Sequence, residues 1–354
     1  MGLFKYLSPE SFKISQKLSS PMDILIIKLG AIGDVIRTTA ILHGLKSKHK
    51  NCKIDWVAKK ESFDVLKNNR RIDKVYLIGS KLNKKYDLAI SLDDDFEACE
   101  LASKINPKKI IGAYLKNNER AYTKNSSLWF DMGLISRLGK EKADSLKAKN
   151  KETYQSIIYK ILGLKYEKQE PILVLHEDEL NFGKKFALKN NISKSDLVIG
   201  INAGAGGRWE DKKLSIEKTA ELIDGLNKNF MGRKIRIVLF GGPEEKERNE
   251  KIKKIALTEI IDAGCDNSLM KFASLVNLCN ILVTSDSLAL HTGIALKKKI
   301  VCYFYPTSSS EIELYGRGTK IIWEGKSYCS YQAKCRHPPK IRIEKILDAV
   351  KRLI

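Results

Sequence analysis

Short aliphatic runs alternate with helix-like segments from Met22 onward, and this alternation limits the possible folds more than any other feature. In the first half, strands are predicted over 23–29, 53–59, 74–80, 86–92 and 109–115. In the second half, they are predicted over 197–203, 234–240, 259–264, 280–286 and 299–305. Such alternation is typical of parallel sheets with crossover helices. Two series of similar size predict an α/β protein with two Rossmann-like domains facing a cleft.

The chain divides at shifts in its composition. A lysine-rich polar stretch over 140–151 precedes a helical pattern, and a polar segment then leads into the second series. We expect an N-terminal extension over 1–20, a first domain over 21–175, a second domain over 176–335 and a C-terminal helix over 336–354. That helix is predicted from apolar residues at helical spacing, namely Ile343, Ile346, Leu347, Val350 and Leu353.

The charge balance is strongly basic, with a net charge of +22 over 354 residues. Such a field attracts nucleic acid, anionic membrane surfaces or phosphorylated substrates, although scattered lysines are equally typical of a solvated surface. The chain lacks the arginine-and-aromatic modules and zinc-finger spacings of nucleic-acid readers, so we expect no nucleic-acid partner.

Membrane and redox signals are sparse. The sequence contains no run of eighteen apolar residues, and the first twenty residues lack the pattern of a signal peptide. That segment is either a basic amphipathic contact with an inner membrane face or a frayed tail. The seven dispersed cysteines favour reduced thiols in the cytosol. Cys329, Cys335 and His337 have loose spacing for zinc and no convincing fourth ligand, so ordinary loop residues are the favoured interpretation.

The first motif joins the opening strand to a helix through Gly30 and Gly33, and Asp34 follows directly. A glycine pair of this kind allows a tight turn, but it lacks the full glycine pattern of a dinucleotide fold. Asp34 would repel a pyrophosphate at its own turn. A carboxylate in a first helical turn is also a common stabilising choice.

Three further motifs follow strands of the second series, at the edge where open α/β sheets bind ligands. Asn202 and Gly204 open a glycine-rich loop ahead of Lys212, which suits an anion cradle or a flexible surface loop. Glu245 follows Gly241–Gly242–Pro243, where a carboxylate either accepts ribose hydroxyls or begins a helix.

The last motif is "DSLALH", which places Asp286 and Ser287 at the end of a strand and His291 on the helix that follows. The hydroxyl of Ser287 and the amides of Ser287 and Leu288 suit a diphosphate. A single histidine on such a helix is more often a core or capping residue, but here we expect a functional role.

Taken in order, these motifs resemble glycosyltransferase family 9, the ADP-heptose:lipopolysaccharide heptosyltransferases. The elements are K-x-x-x-x-G-D, N-x-G with a downstream lysine, G-G-P-x-E-x-E, D-S-x-x-x-H and F-x-P-T. The resemblance runs from about Met22 to the C-terminus. It implies the GT-B architecture, in which two Rossmann-like domains face a cleft and the C-terminal helix crosses back onto the first domain.

The resemblance also implies roles for individual residues. Asp34 matches the catalytic base that deprotonates the acceptor hydroxyl, which implies direct displacement with inversion and no covalent intermediate. The implied donor residues are Asn202, Gly204, Lys212, Glu245, Leu269, Asp286, Ser287, Leu288 and His291. No metal or cofactor is implied. Cationic or polar residues expected on the acceptor side, where solvated surface charge is the alternative, are Arg37, Lys59, Lys60, Asp94 and Arg120.

The resemblance implies ADP-heptose as donor and an anionic glycolipid as acceptor, such as a Kdo-bearing or phosphorylated inner core. It places the protein in the cytoplasm, with possible peripheral contact at the inner membrane. Leu288 stands where the family commonly has a glycine. The acidic run "SLDDDFEAC" stands where relatives more often have one aspartate together with amide side chains. Two alternatives therefore stay open: the same fold with another nucleotide sugar, and an inactive nucleotide-binding partner protein. The missing glycine fingerprint disfavours a dehydrogenase.

Overall fold

The computed structural model describes residues 21–206, 210–230, 232–305, 307–323 and 342–354. It contains two six-stranded sheets flanked by helices. The predicted N-terminal extension and the Cys329, Cys335 and His337 group lie outside the described residues. The predicted boundaries at 175/176 and 335/336 stay predictions.

The first sheet is built from the aliphatic runs of the N-terminal half. Its strands are β1 (Asp23–Ile27), β2 (Lys53–Ala58), β3 (Lys74–Leu77), β4 (Leu88–Ser91), β5 (Lys109–Lys116) and β6 (Glu119–Tyr122). The order across the sheet is β3-β2-β1-β4-β5-β6, and β6 alone runs antiparallel to its neighbour. The central strand β1 is buried on both faces, as expected of a continuous aliphatic run in a parallel sheet.

Helices cover both faces of this sheet because parallel strands need crossover connections. They are α1 (Ile32–Thr38), α2 (Ile41–Lys48), α3 (Lys60–Leu66), α4 (Phe96–Lys104), α5 (Ser127–Phe130), α6 (Lys140–Lys149) and α7 (Tyr154–Ile161). The lysine-rich stretch predicted to be polar is therefore largely helical, as α6.

The second sheet repeats this plan with parallel strands throughout. Its strands are β7 (Leu197–Asn202), β8 (Ile235–Leu239), β9 (Ile260–Asp262), β10 (Ile281–Ser285), β11 (Lys299–Phe304) and β12 (Gly318–Ile322). Its helices are α8 (Glu177–Lys189), α9 (Ile216–Asn229), α10 (Lys246–Ile255), α11 (Leu269–Leu278), α12 (Leu288–Ala295) and α13 (Ile343–Lys351). The order β9-β8-β7-β10-β11-β12 is that of the first sheet. The predicted pair of Rossmann-like domains is confirmed.

Each sheet reverses its strand order once, between β1 and β4 and again between β7 and β10. Ligands of open α/β sheets bind at such switch points, beyond the carboxyl ends of the strands. Asn202 ends β7, Asp286 follows β10 and Asp34 lies on the helix after β1, so all three are at these two points. The fold therefore brings the predicted motifs to two edges that face each other.

All the strands predicted from the sequence are present, but two others were missed. β6 has the charged sequence Glu119–Tyr122 and pairs with β5 through a tight turn. Asn117 and Asn118 form that turn with φ of 51° and 62°, a left-handed conformation that asparagine tolerates. β12 follows a polar loop and pairs with β11 at the edge of the sheet. Neither has the aliphatic signal on which the prediction relied.

The C-terminal helix α13 differs from the prediction in where it packs. Its amphipathic pattern is confirmed, because Ile343, Ile346 and Val350 are buried. These residues join the hydrophobic cluster of the second sheet, and the helix lies against α9, β11 and β12. The prediction that this helix crosses back onto the first domain is wrong for residues 343–351. Its apolar face fits the α9 surface, where Gly225 gives Leu347 room for close approach.

Among the described ranges, no helix is long and apolar enough to cross a membrane.

Candidate active site

Helices α1 and α12 pack against each other and join the two switch points. The contact is closest at Gly33, where a Cβ atom would lie 2.5 Å from Cδ2 of His291. Real Cβ atoms do not approach other atoms so closely, so a side chain at this position would have to displace His291 or separate the two helices. The second glycine of the first motif therefore serves helix packing across the cleft rather than phosphate binding.

Asp34 lies beside this contact, in the first turn of α1. Its side chain is one third exposed, and its Oδ1 lies 2.8 Å from NH2 of Arg37. Burial alone would raise the pKa of Asp34, but the charges of Arg37, Lys28 and His291 outweigh it and lower the pKa to about 2. Asp34 is therefore ionised throughout the physiological range of pH.

Asp93 fixes the turn that carries Asp34. It follows β4, and its Oδ1 accepts a 2.6 Å hydrogen bond from Nζ of Lys28. Its Oδ2 accepts hydrogen bonds from the backbone N–H of Leu29 and, at 2.7 Å, from that of Gly30. Both side chains of this ion pair are almost fully buried. The acidic run thus has a structural role at its first aspartate, which the sequence analysis missed.

Lys212 and Asp286 form an ion pair on the opposite side of the cleft. Nζ of Lys212 lies 3.0 Å from the carbonyl oxygen of Asp286 and 3.2 Å from its Oδ2. Burial would raise the pKa of Asp286, yet Lys212 and His291 hold it below its ordinary value. A fixed cation and an ionised carboxylate therefore lie together at the carboxyl end of β10.

Side-chain contacts join the loops that follow β7 and β10. Nδ2 of Asn202 donates to the carbonyl oxygen of Gly204 at 3.0 Å and lies 3.4 Å from Oγ of Ser287. Ser287 is the N-cap of α12, and its own side chain caps no amide there. The first amides of α12, which have no partner within the helix, lie at Leu288 and Ala289, two residues that line a cavity.

Glu245 closes the far end of the second-domain cavity. It is 4% exposed, and its carboxylate accepts hydrogen bonds from the backbone N–H of Gly242 at 2.9 Å and of Gly206 at 3.1 Å. Gly204 makes this position possible, because a Cβ atom there would lie 2.5 Å from Cγ of Glu245. The cavity measures about 750 Å³, and Leu269 lines it at the start of α11.

A second cavity of about 520 Å³ lies between the domains and adjoins the first, since Ser287 and Leu288 line both. The structure brings seven of the fifteen predicted site residues to its walls: Asp34, Arg37, Lys212, Asp286, Ser287, Leu288 and His291. Asn202, Gly204, Glu245 and Leu269 line the larger cavity instead.

The predicted acceptor residues are more scattered. Asp94 lines a third cavity, of about 420 Å³, which shares Asp34 with the interdomain cavity. Arg120 donates to the carbonyl oxygen of Asp94 at 2.9 Å, and Nζ of Lys59 lies 3.4 Å from Oδ2 of Asp95. Lys60 is exposed at the start of α3. Lys59, Lys60 and Arg120 therefore border this region without lining the three cavities.

Two charged residues of the interdomain cavity were missed. Glu311, from the segment after β11, lies 3.8 Å from NH1 of Arg37 and 3.1 Å from Nζ of Lys147. Lys147 comes from the lysine-rich helix α6. The guanidinium of Arg37 lies 4.0 Å from the ring centre of Tyr154. A buried glutamate with two distant partners leaves no local pattern in the sequence.

Within the described residues, no group of three or more histidine, cysteine or acidic side chains has the arrangement of a metal site.

His291 gives the cleft a measurable response to pH. Burial, followed by the charge of Arg37, lowers its pKa to about 4. Since the unfolded chain binds the proton near pH 6.5, this group's contribution to stability is present above that pH and is lost as the pH falls toward 4. Between pH 7 and pH 5, we expect the wild type to lose about 2 kcal/mol more unfolding free energy than His291→Asn. Urea unfolding at both pH values measures this.

The control is His176→Asn, which makes the same change at an exposed position. Equal losses for the wild type and His291→Asn would show that His291 is not held neutral in the folded protein.

The helix contact predicts that Gly33→Ala lowers thermal stability. The added methyl group must displace His291 or separate α1 from α12, and overpacking of this kind costs about 1–3 kcal/mol. Gly133→Ala is the matched control, since its Cβ would be 3.5 Å from the nearest atom, an ordinary contact. Calorimetric melting of both variants checks the prediction. A Gly33→Ala protein as stable as the control would contradict the packing argument.

Comparison with known proteins identifies the family. The model of glycosyltransferase family 9 (heptosyltransferase) matches residues 75–341. Lipooligosaccharide heptosyltransferase 2 of Haemophilus influenzae is 23% identical over 323 residues, which cover 81% of this chain and 84% of the relative.

Two solved structures share the fold. The family 9 glycosyltransferase from Veillonella parvula has a TM-score of 0.74 at 19% identity, over 94% of this chain and 97% of its own. ADP-heptose lps heptosyltransferase II of E. coli has a TM-score of 0.64 at 17% identity, over 94% and 98% of the two chains. The expected GT-B arrangement of two domains is thereby confirmed. Because the family model spans well over half of the sequence, the chain belongs to glycosyltransferase family 9, the heptosyltransferases, and is a glycosyltransferase.

Proposed function

We propose that this glycosyltransferase moves heptose from ADP-heptose to a lipopolysaccharide inner core or a related surface glycan, with inversion and without a bound metal. The family match and the heptosyltransferase relatives support the donor and the acceptor class. The observation that carries the mechanism is that Asp34 of the first domain lines the same interdomain cavity as Lys212 and the N-terminus of α12 from the second domain.

The donor occupies the second domain in this proposal. Glu245 accepts hydrogen bonds from the ribose hydroxyls, because each of its carboxylate oxygens has one backbone partner and can accept a second hydrogen bond. The diphosphate lies at the first amides of α12, where the helix dipole favours negative charge. Asn202, Gly204 and Leu269 shape the nucleoside end of the cavity.

Lys212 and Asp286 divide the remaining donor contacts. Lys212 neutralises the phosphate nearest the sugar. Asp286 forms an ion pair with Lys212 and accepts a hydrogen bond from a hydroxyl of the donor sugar. His291 orders the turn as a neutral side chain, since its lowered pKa of about 4 leaves it uncharged at pH 7.

Asp34 is the general base. As the acceptor oxygen forms its bond to the anomeric carbon, the acceptor proton passes to the carboxylate and the anomeric carbon–oxygen bond to ADP breaks. ADP leaves with that electron pair. A carboxylate with a low pKa is a weak base, so the proton moves late, when the attacking oxygen has become acidic. Direct attack by the acceptor, with no enzyme nucleophile, gives inversion.

Charge develops on ADP as it leaves, and fixed positive partners stabilise it. Lys212, Ser287 and the α12 amides at Leu288 and Ala289 serve this purpose, so the proposed reaction needs no metal to neutralise the diphosphate.

The acceptor binds on the first domain, in the cavity shared by Asp34 and Asp94. Arg37, Lys59, Lys60 and Arg120 are the proposed contacts for an anionic glycolipid. The net charge of +22 supports peripheral contact with an anionic membrane from the cytoplasmic side.

Asp34→Asn tests the base. We expect kcat for transfer from ADP-heptose to fall about 10³-fold, as removal of a general base typically does, while KM for the donor changes less than threefold. The control is Asp64→Asn, which changes an exposed carboxylate on α3 that pairs with Lys67. Single-time-point product analysis with and without EDTA checks the metal requirement in the same assay.

A kcat for Asp34→Asn close to that of the control would refute the assignment of the base. Transfer from a uridine or guanosine sugar in preference to ADP-heptose would keep the mechanism and refute the heptose donor. Loss of transfer in EDTA would refute metal independence.

A further inference from the structure

Glu311 is a charged residue of the cleft that the proposed mechanism does not use. It is 7% exposed and belongs to the second domain. Its charged partners, Arg37 and Lys147, both come from the first domain. Its carbonyl oxygen also accepts a 2.9 Å hydrogen bond from the backbone N–H of Tyr154, on α7. Glu311 thus contacts three first-domain helices, α1 and α6 through its carboxylate and α7 through its backbone carbonyl.

The two carboxylates beside Arg37 lie at unequal distances from its guanidinium. NH2 lies 2.8 Å from Asp34, within hydrogen-bonding distance, whereas NH1 lies 3.8 Å from Glu311. Nε is buried and has no hydrogen-bond partner. The guanidinium is therefore bound firmly to Asp34 and faces Glu311 across a gap that a small movement would close.

Proton transfer changes the charge that Arg37 faces. When Asp34 accepts the acceptor proton it becomes neutral, and Arg37 loses its nearest anion. The Arg37 side chain is only 11% exposed, so water compensates that loss poorly. Glu311 is the other carboxylate within 4 Å of the guanidinium among the described residues.

We propose that Glu311 is a positioning residue for the transfer reaction. As Asp34 is protonated, Glu311 replaces it as the carboxylate that neutralises the guanidinium of Arg37. The proton goes from the acceptor hydroxyl to Asp34 only, and neither Arg37 nor Glu311 gains or loses one. Arg37 shifts its hydrogen bonding from Asp34 toward Glu311, so the positive charge stays neutralised through the transition state. This role rests on the proposed function of Asp34 as base.

Lys147 fits the same arrangement. Its Nζ lies 3.1 Å from Oε1 of Glu311, so it places a second positive charge beside that carboxylate. Its own position over Trp129, 5.9 Å from the ring centre, fixes it to the first domain. Glu311 therefore lies between two cations, and NH1 of Arg37 is too distant to donate a hydrogen bond to it.

Glu311→Gln tests the role, since it keeps the shape of the side chain and removes its charge. We expect kcat to fall about 10-fold, within the range of coupling between neighbouring charges, while KM for the donor and the Kd for ADP change less than twofold. The control is Glu313→Gln, two residues along, whose Oε1 accepts the backbone N–H of Tyr315 at 2.8 Å.

A second measurement separates this role from support of the domain interface. In an Arg37→Met background the guanidinium charge that Glu311 takes over is absent, so Glu311→Gln should then cost less than twofold in kcat. An equal cost in both backgrounds would overturn the proposal, as would an unchanged kcat in the single variant or a loss of ADP binding that matches the loss of kcat.

The wild-type assay keeps the two proposals distinct. A wild type that transfers heptose, with Glu311→Gln equally active, overturns only the role of Glu311. A wild type that transfers no heptose from ADP-heptose overturns the proposed function and this role with it.

Discussion

The close contact between α1 and α12 is the constraint on which the site depends. Gly33 lets His291 approach the backbone of the opposite helix, and this contact brings the switch points of the two sheets together. Asp34 then lies next to the glycine and Asp286 next to the start of α12. A side chain at position 33 would have to displace His291 or separate α1 from α12. The glycine, whose motif resembles that of a phosphate loop, is thus a requirement of packing between domains.

The packing of α1 against α12 also brings the charged side chains of the cleft together. The cleft holds Asp34, Asp286 and Glu311 against Arg37, Lys147 and Lys212, most of them with little exposure to solvent. Pairing keeps Asp34 and Asp286 ionised despite burial, whereas burial keeps His291 neutral. The Asp34–Arg37 pair lies within the first domain and the Lys212–Asp286 pair within the second, whereas the contacts of Glu311 with Arg37 and Lys147 cross the cleft. Through Glu311, charge balance and domain position are coupled.

Much of this arrangement was predictable from the sequence, for a physical reason. Aliphatic runs define parallel strands, and the candidate site residues lie near the carboxyl ends of those strands: Asn202 ends β7, Asp286 follows β10, and Asp34 is on the helix after β1. The missed features lack a local signal. Glu311 and Lys147 matter because distant segments meet, and Asp93 matters because its carboxylate binds the turn after β1. Strand β6 is the charged second strand of a hairpin. Helix α13 packs on α9 through tertiary contacts that its own periodicity does not specify.

In the proposed mechanism, the second domain binds the donor while the first supplies the base. Calorimetric titration of ADP into the wild type, Lys212→Met and Asp34→Asn, with and without magnesium, tests this division. We expect ADP binding that magnesium does not change, that Lys212→Met weakens about 10-fold through loss of a charge-assisted contact, and that Asp34→Asn does not weaken. Equal weakening by both substitutions, or binding that requires magnesium, would contradict it.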